Sequence, residues 1–203
     1  MMSLLYLLLA YIVGSFPSGL VVGKFFFHTD LREYGSHNIG ATNAYRVLGA
    51  MPGLAVLILD IAKGVSGVWL GKLAGAAAPE YQIYLMIAGG LIAIIGHSCS
   101  LFLQFKGGKG VATGLGVILF LAPVETAIVF LVWCVIVAVT RIVSLGSIVA
   151  AALVPVAMYF FDEPLPVTGF GLLAAVLVIV RHKDNIIRLL HGNELKVERI
   201  KTK

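Results

Sequence analysis

Charge is what this sequence has least of. Only 12% of its 203 residues are Asp, Glu, Lys or Arg, about half the share of an ordinary soluble domain. Cysteine is nearly absent: Cys99 and Cys134 both lie in apolar segments and neither belongs to a CxxC pair, so neither a disulfide framework nor a zinc site is indicated. There is no HExxH, no DxxD and no His/Cys cluster, so no metal is expected. Neither glycine-rich stretch satisfies GxxxxGK[ST]: at Gly19–Lys24 the glycines are one residue too close and Phe25 stands where Ser or Thr belongs. No Lys or Arg precedes the first apolar run and no small-x-small site closes it, so that run does not read as a cleavable signal peptide.

What is present is apolar sequence in long runs. Hydrophobic residues make up 60% of the chain and the mean hydropathy is +1.00. Runs of about 20 residues match a hydrocarbon core about 30 Å thick, and a backbone in lipid must bond to itself. The expectation is an all-α, polytopic membrane protein.

Spans are expected at Ser3–Gly23, Gly53–Leu73 and Tyr81–Leu103. The apolar stretch 111–140 is too long for one crossing, and Pro123 with Glu125 divides it into a short descent and a full return. A sixth span runs Leu145–Phe161, and a seventh follows Asp162-Glu163-Pro164 and ends at Arg181. About seven transmembrane helices result. Lys24, Arg32, Arg46, Lys106, Lys109, Arg141, Arg181 and the basic tail then share one side, opposite Lys72 and the acids Glu80, Glu125, Asp162 and Glu163. By the positive-inside rule the N-terminus is outside and the C-terminus cytoplasmic. The net charge of +5 is read as contact with membrane lipid, with no nucleic-acid module left to account for it. Gly67-Gly71-Gly75 and Gly110-Gly114 are expected to let helices approach closely.

Polar residues gather on the cytoplasmic side in three clusters. The first, Gly35 to Arg46, interleaves Ser36, Asn38, Thr42 and Asn43 with glycines, offering hydroxyls, amides, backbone donors and the planar fork of Arg46 to a phosphate. The same residues also suit an Asn/Ser-capped turn. The second, Phe105-Lys106-Gly107-Gly108-Lys109-Gly110-Val111-Ala112-Thr113-Gly114, puts glycines and two lysines before a helix N-terminus, a ready anion site or a plain tight turn. The third, Arg181 to Glu194, spaces His182, Asn185 and Arg188 three apart, on one helical face. An interfacial basic helix is its bland alternative.

Asp60 and Lys63, i,i+3 within the second span, are expected to pair. Ser144 and Ser147 cap a helix or line the same cavity. His97 is read as a hydrogen-bonded packing residue. Three phosphate-friendly clusters at one membrane face imply a site for two phosphorylated groups.

On these motifs the chain resembles the bacterial PlsY family of acyl-phosphate-dependent glycerol-3-phosphate acyltransferases. The resemblance rests on Gly14-Ser15-Phe16-Pro17-Ser18-Gly19, the first loop GSxNxGATNxxR, Asp60-x-x-Lys63-Gly64, GGKGVAT at 107–113, Val143-Ser144-Leu145 and the terminal HxxNIxRLxxGxE. Two departures stand out: His37 replaces the usual glycine, and Ala44-Tyr45 replaces an aliphatic pair.

The resemblance implies a single integral-membrane acyltransferase domain over 1–203, in a bacterial inner membrane, its site facing the cytoplasm. It implies acyl transfer from acyl phosphate to the 1-hydroxyl of glycerol 3-phosphate, giving lysophosphatidate and phosphate without cofactor or metal. Gly107, Gly108, Lys109, Gly110 and Thr113 would hold acyl phosphate. Ser36, Asn38, Arg46, Lys109 and Ser144 would bind glycerol 3-phosphate. His182, Asn185 and Ser36 would take part in the chemistry, and Asp60, Lys63, Arg188 and Glu194 would support the site. The enzyme that makes acyl phosphate, a phosphate acyltransferase, is the implied protein partner. The proton acceptor is either His182 or a substrate phosphate oxygen. HxxxxD, the motif of acyl-CoA-dependent glycerolipid acyltransferases, follows none of the five histidines. The competing class is a small transporter of phosphorylated metabolites, which would ask for polar features on the outer side as well.

Overall fold

The computed structural model describes residues 2–199. Among them there is helix and no strand, and the chain forms two compact units. One comprises residues up to Val117 together with Glu198 and Arg199, the other Ile118–Val197.

In the first unit, α1 (Met2–Ser15) breaks at Phe16-Pro17 and resumes as α2 (Ser18–Val21) and a π-turn, Val22–Phe26. Proline has no N–H to continue the ladder, and the two pieces meet at 44°. The polar loop follows, then α3 (Ala41–Leu48), α4 (Ala50–Ala74) and α5 (Gln82–Ser98). Helices α1, α4 and α5 pack on one another. A side chain at Gly67 or Gly89 would drive into the other helix's backbone, so glycine here is what lets α4 and α5 touch. Gly71 meets α5 in the same way, as the four-residue spacing predicts.

Helix α6 (Val111–Leu121) runs from the first unit into the second. Of Gly110-Gly114, only Gly110 makes the expected close approach: it takes φ +80° just ahead of the helix, and a Cβ there would lie 3.1 Å from Ile94 Cγ2 and 3.2 Å from Ser98 Oγ of α5, whereas the nearest atom to a Cβ at Gly114 is Ile94 Cδ1, at 3.9 Å. Gly64 of α4 presses against α6 at the carbonyl of Thr113, and Gly116 of α6 against α4 at the carbonyl of Ile61.

The second unit is a run of α7 (Pro123–Thr140), α8 (Val143–Phe160) and α9 (Leu165–Arg181), each packed on the next, then α10 (Lys183–Leu190). Pro123 does divide the long apolar stretch, standing at the first position of α7.

Among the described residues, four helical segments are long and apolar enough to cross a membrane alone: Ala50–Ala74, Pro79–Leu103, Pro123–Thr140 and Val143–Phe160. Two bent pairs, Met2–Ser15 with Ser18–Phe26 and Leu165–Arg181 with Lys183–Leu190, qualify when each is taken together. The 11-residue α6 is about 16 Å long, half a hydrocarbon core. The outer stripe Leu131, Val135 and Val139 of α7 is 63–78% exposed, as a face turned to lipid should be. The protein is a multi-pass integral membrane protein.

Candidate functional site

The first unit carries two of the three polar clusters. The loop before α3 is organised by Asn43, which is 1% exposed. Its Oδ1 accepts from the Ser36 N–H at 2.9 Å, and its Nδ2 lies 2.8–3.1 Å from the carbonyls of Leu31, Tyr34 and Asn38. One amide thereby replaces the ladder this loop lacks. Asn38 Oδ1 accepts from Gly40 N–H at 2.9 Å, an Asx turn that leaves its Nδ2 uncommitted. The Ser36 hydroxyl likewise makes no hydrogen bond among the described residues. Both can therefore face a ligand. Arg46, on α3, is buried.

His37 occupies the left-handed region, φ 57°, with Nδ1 2.9 Å from the Arg32 carbonyl. A glycine would hold that conformation without strain. Farther along, Lys24 and Arg32 both pair with Asp30, at 3.0 and 2.7 Å. The Arg32 hydrogen bond, above all, holds the Asp30 carboxyl far below the usual carboxylate range. These two cations shape the loop.

Asp60 and Lys63 do pair, at 2.7 Å, both at most 5% exposed. Lys63 Nζ also reaches the Phe16 carbonyl at 2.8 Å and His97 Nδ1 at 3.2 Å. The glycine-lysine loop rests on the end of α5: the Gly107 N–H donates to Ser98 O at 3.0 Å and the Gly108 N–H to His97 O at 3.1 Å. This corrects one expectation. These two N–H groups are committed to the fold and do not face an anion. Glycine is needed because a side chain at 107 would strike the His97 carbonyl and one at 108 the His97 ring. The next donors in the chain are at the N-terminus of α6, whose first N–H groups have no intrahelical acceptor. Thr113 sits in that first turn, fully buried, and its Oγ1 has no hydrogen-bond partner among the described residues. Lys109 is half-buried.

In the second unit the clusters meet on Glu194. Its side chain is 3% exposed. Oε1 accepts from Ser144 Oγ at 2.8 Å and Asn185 Nδ2 at 2.6 Å, and Oε2 from Arg188 Nε at 2.7 Å. Burial alone would raise the carboxyl's pKa; the bonds from Asn185, Ser144 and Arg188 outweigh it and lower it. Ser147 accepts from Trp133 Nε1 at 3.3 Å.

The three-residue face expected through His182 is interrupted. The chain bends by 60° there, and α10 is a separate helix on which Asn185 and Arg188 turn to Glu194. His182 is 3% exposed, and its Nδ1 lies 2.7 Å from the Val178 carbonyl. A carbonyl only accepts, so the neutral ring keeps its proton on Nδ1 and a lone pair on Nε2. Among the described residues no group of three His, Cys, Asp or Glu is arranged to hold a metal ion.

Sequence reasoning passed over Asn43 as the organiser of the first loop and His97 as the floor of the second. Asn43 was one amide in a polar run. The tight pair Gly107-Gly108 was the available signal that something presses on that loop.

The chain matches the glycerol-3-phosphate acyltransferase family over residues 4–192. It is 46% identical to "Glycerol-3-phosphate acyltransferase 2" of Moorella thermoacetica, covering 97% of this chain and 98% of that protein. It is 45% identical to the glycerol-3-phosphate acyltransferase of Fusobacterium nucleatum, covering 94% and 96%. Two crystal structures of PlsY (YgiH), an integral membrane glycerol 3-phosphate acyltransferase, superpose on it. Its glycerol 3-phosphate form gives a TM-score of 0.87 at 36% identity, covering 97% of this chain and 96% of that one. Its lysophosphatidic acid form gives 0.86 at 35%, covering 97% and 95%. Full-length matches of this kind favour an acyltransferase over a transporter, and the chain belongs to the glycerol-3-phosphate acyltransferase family.

Proposed function

We propose that this acyltransferase uses acyl phosphate as its donor and the 1-hydroxyl of glycerol 3-phosphate as its acceptor. The observation that carries the donor reading is the start of α6, where the first N–H groups and the unpartnered, fully buried Thr113 hydroxyl follow Lys109 and Gly110. A buried hydroxyl without a partner is unusual, and a helix N-terminus favours phosphate. Gly107 and Gly108 let the loop fold close enough to present that helix start.

Ser36, Asn38 and Arg46 are assigned to glycerol 3-phosphate. The uncommitted Ser36 hydroxyl and Asn38 amide supply donors, and Arg46 a planar charged fork. Lys109 serves both phosphates. Ser144 and Asn185, held by Glu194 and supported by Arg188, keep their places in the acceptor site and the chemistry.

The acceptor oxygen attacks the acyl carbon, the bond from that carbon to the phosphate oxygen breaks, and phosphate leaves with its electron pair. The hydroxyl proton passes to a base, for which the Nε2 lone pair of His182 is suited. A mixed anhydride already has a good leaving group, so positioning and charge neutralisation account for most of the rate.

The setting we assign is a bacterial inner membrane with seven crossings, N-terminus outside and the site facing the cytoplasm. The supply partner is an enzyme that makes acyl phosphate. The test is kinetic: purified protein in detergent with palmitoyl phosphate and glycerol 3-phosphate. Gly108→Leu, which forces a side chain into the His97 ring, should raise the KM for palmitoyl phosphate at least about tenfold and leave that for glycerol 3-phosphate within a few-fold. Equal effects on both substrates would overturn the donor assignment.

A further inference from the structure

The two loops assigned to the substrates both meet the first span at its break, Phe16-Pro17. Proline has no N–H to offer, and a helix that stops leaves its last carbonyls without intrahelical donors. Here side chains from elsewhere in the chain supply them. Ser100 Oγ donates to the Ser15 carbonyl at 2.5 Å, across eighty-five positions of sequence, and Lys63 Nζ donates to the Phe16 carbonyl at 2.8 Å. Ser15 and Ser100 are each 1% exposed, so the first of these bonds is made away from water.

Ser100 begins the stretch that leads into the glycine-lysine loop. Its own carbonyl takes the N–H groups of Leu103 at 3.1 Å and Phe105 at 2.8 Å, and the chain then returns to α5 through Gly107 and Gly108. Beside it, the Cys99 carbonyl accepts from the Tyr11 hydroxyl of α1 at 2.8 Å. Tyr11 and Ser15 are i,i+4 and share one face of α1. One turn of α1 therefore holds the donor loop at two consecutive residues.

The acceptor loop leans on α2, just past the break. Gly19 lies so close to the Ile39 carbonyl that a side chain there would overlap it. Ile39 stands inside the Asx turn that joins Asn38 to Gly40. Each loop is also closed by bonds of its own, the acceptor loop through Asn43 and the donor loop through its backbone.

We propose that Ser100, assisted by Tyr11, is a positioning residue for the acyl transfer, holding the donor loop in register with the acceptor loop through the broken first span. The proposal rests on the donor and acceptor assignments above. Both hydroxyls are spent on backbone carbonyls, so each acts through the loop it ties down. Binding either substrate needs one loop, whereas transfer needs the two in line. Loss of a tie should lower kcat and spare both KM values, the pattern of misplaced reactants.

In detergent with palmitoyl phosphate and glycerol 3-phosphate, Ser100→Ala should lower kcat about 10- to 100-fold, each KM staying within about threefold. Ser100→Thr keeps the hydroxyl and should recover most of the rate. Tyr11→Phe removes the more exposed tie and should lower kcat about three- to tenfold. Thr126→Val is the control for lost stability. It deletes another buried hydroxyl-to-carbonyl bond, from Thr126 to Ala122 at 2.7 Å, and should melt lower with kcat within about twofold of wild type.

An S100A enzyme with wild-type kcat overturns the proposal, and so does a kcat loss that T126V reproduces at the same drop in melting temperature. Should S100A fail to fold, Y11F decides on its own, and an unchanged kcat there overturns the proposal. A wild type that ignores palmitoyl phosphate overturns the donor reading and this proposal together. An active wild type with unimpaired variants overturns this proposal alone.

Discussion

Replacing Glu194 tests how the second unit holds its polar side chains. One buried carboxylate receives Ser144, Asn185 and Arg188. Arg188 is 37% exposed and can turn to water, so its share is about 0–1 kcal/mol. Ser144 and Asn185 are buried and would each lose a hydrogen bond to a charged acceptor, at about 1–2 kcal/mol each. Glu194→Ala should therefore cost about 3 kcal/mol, a melting shift of roughly 6–12 °C for a chain of this size. Glu194→Gln can keep an oxygen towards Ser144 and Asn185 while setting its NH2 against Arg188, and should cost about 1 kcal/mol. Fluorescence-detected unfolding in detergent measures both. The pH dependence adds a second readout. The Glu194 pKa is lowered on folding, so its stabilisation is present above the ordinary Glu value of about 4.3 and is lost as pH falls through the lower folded value. The gap between wild type and E194Q should hold from about pH 8 to 5 and narrow below about pH 4. An E194A midpoint within about 2 °C of wild type, or E194Q as damaging as E194A, would refute the reasoning.

Lys63→Met should destabilise the first unit by about 3–5 kcal/mol, because Asp60 keeps a buried charge without its partner; adding Asp60→Asn should restore part of that, as read by the same unfolding assay. His37→Gly should raise the melting point by about 2–4 °C, since it relieves about 1 kcal/mol of left-handed strain and gives up only an exposed contact to Arg32. Asn43→Ala should raise the KM for glycerol 3-phosphate at least about tenfold by unfastening Ser36 and Asn38, and an unchanged acceptor KM would mean the loop does not bind it.

Much of the architecture was legible because the bilayer leaves few options. Apolar runs placed the helices, and Pro123 marked the division of 111–140. The four-residue glycine spacing located Gly67 and Gly71 at a helix contact. The same spacing held only in part at Gly110-Gly114: Gly110 combines a positive φ with a close approach to Ile94 and Ser98 of α5, and Gly114 has no such contact. Chain-local signals also failed wherever a partner lies far off in sequence. Ser144 is bound to a residue fifty positions away. His97 meets Lys63, thirty-four positions earlier. The Gly107 and Gly108 N–H groups read as anion donors until the carbonyls of α5 were seen to take them. The bend at His182 had no proline to announce it.

Phosphorus NMR on one reaction mixture tests the central claim most directly. Purified protein, palmitoyl phosphate and glycerol 3-phosphate are combined with a strong metal chelator. Lysophosphatidate and inorganic phosphate should rise in equal amounts as both substrates fall, and palmitoyl-CoA should not replace palmitoyl phosphate. Product formed only from the thioester, or only when metal is restored, would contradict the account.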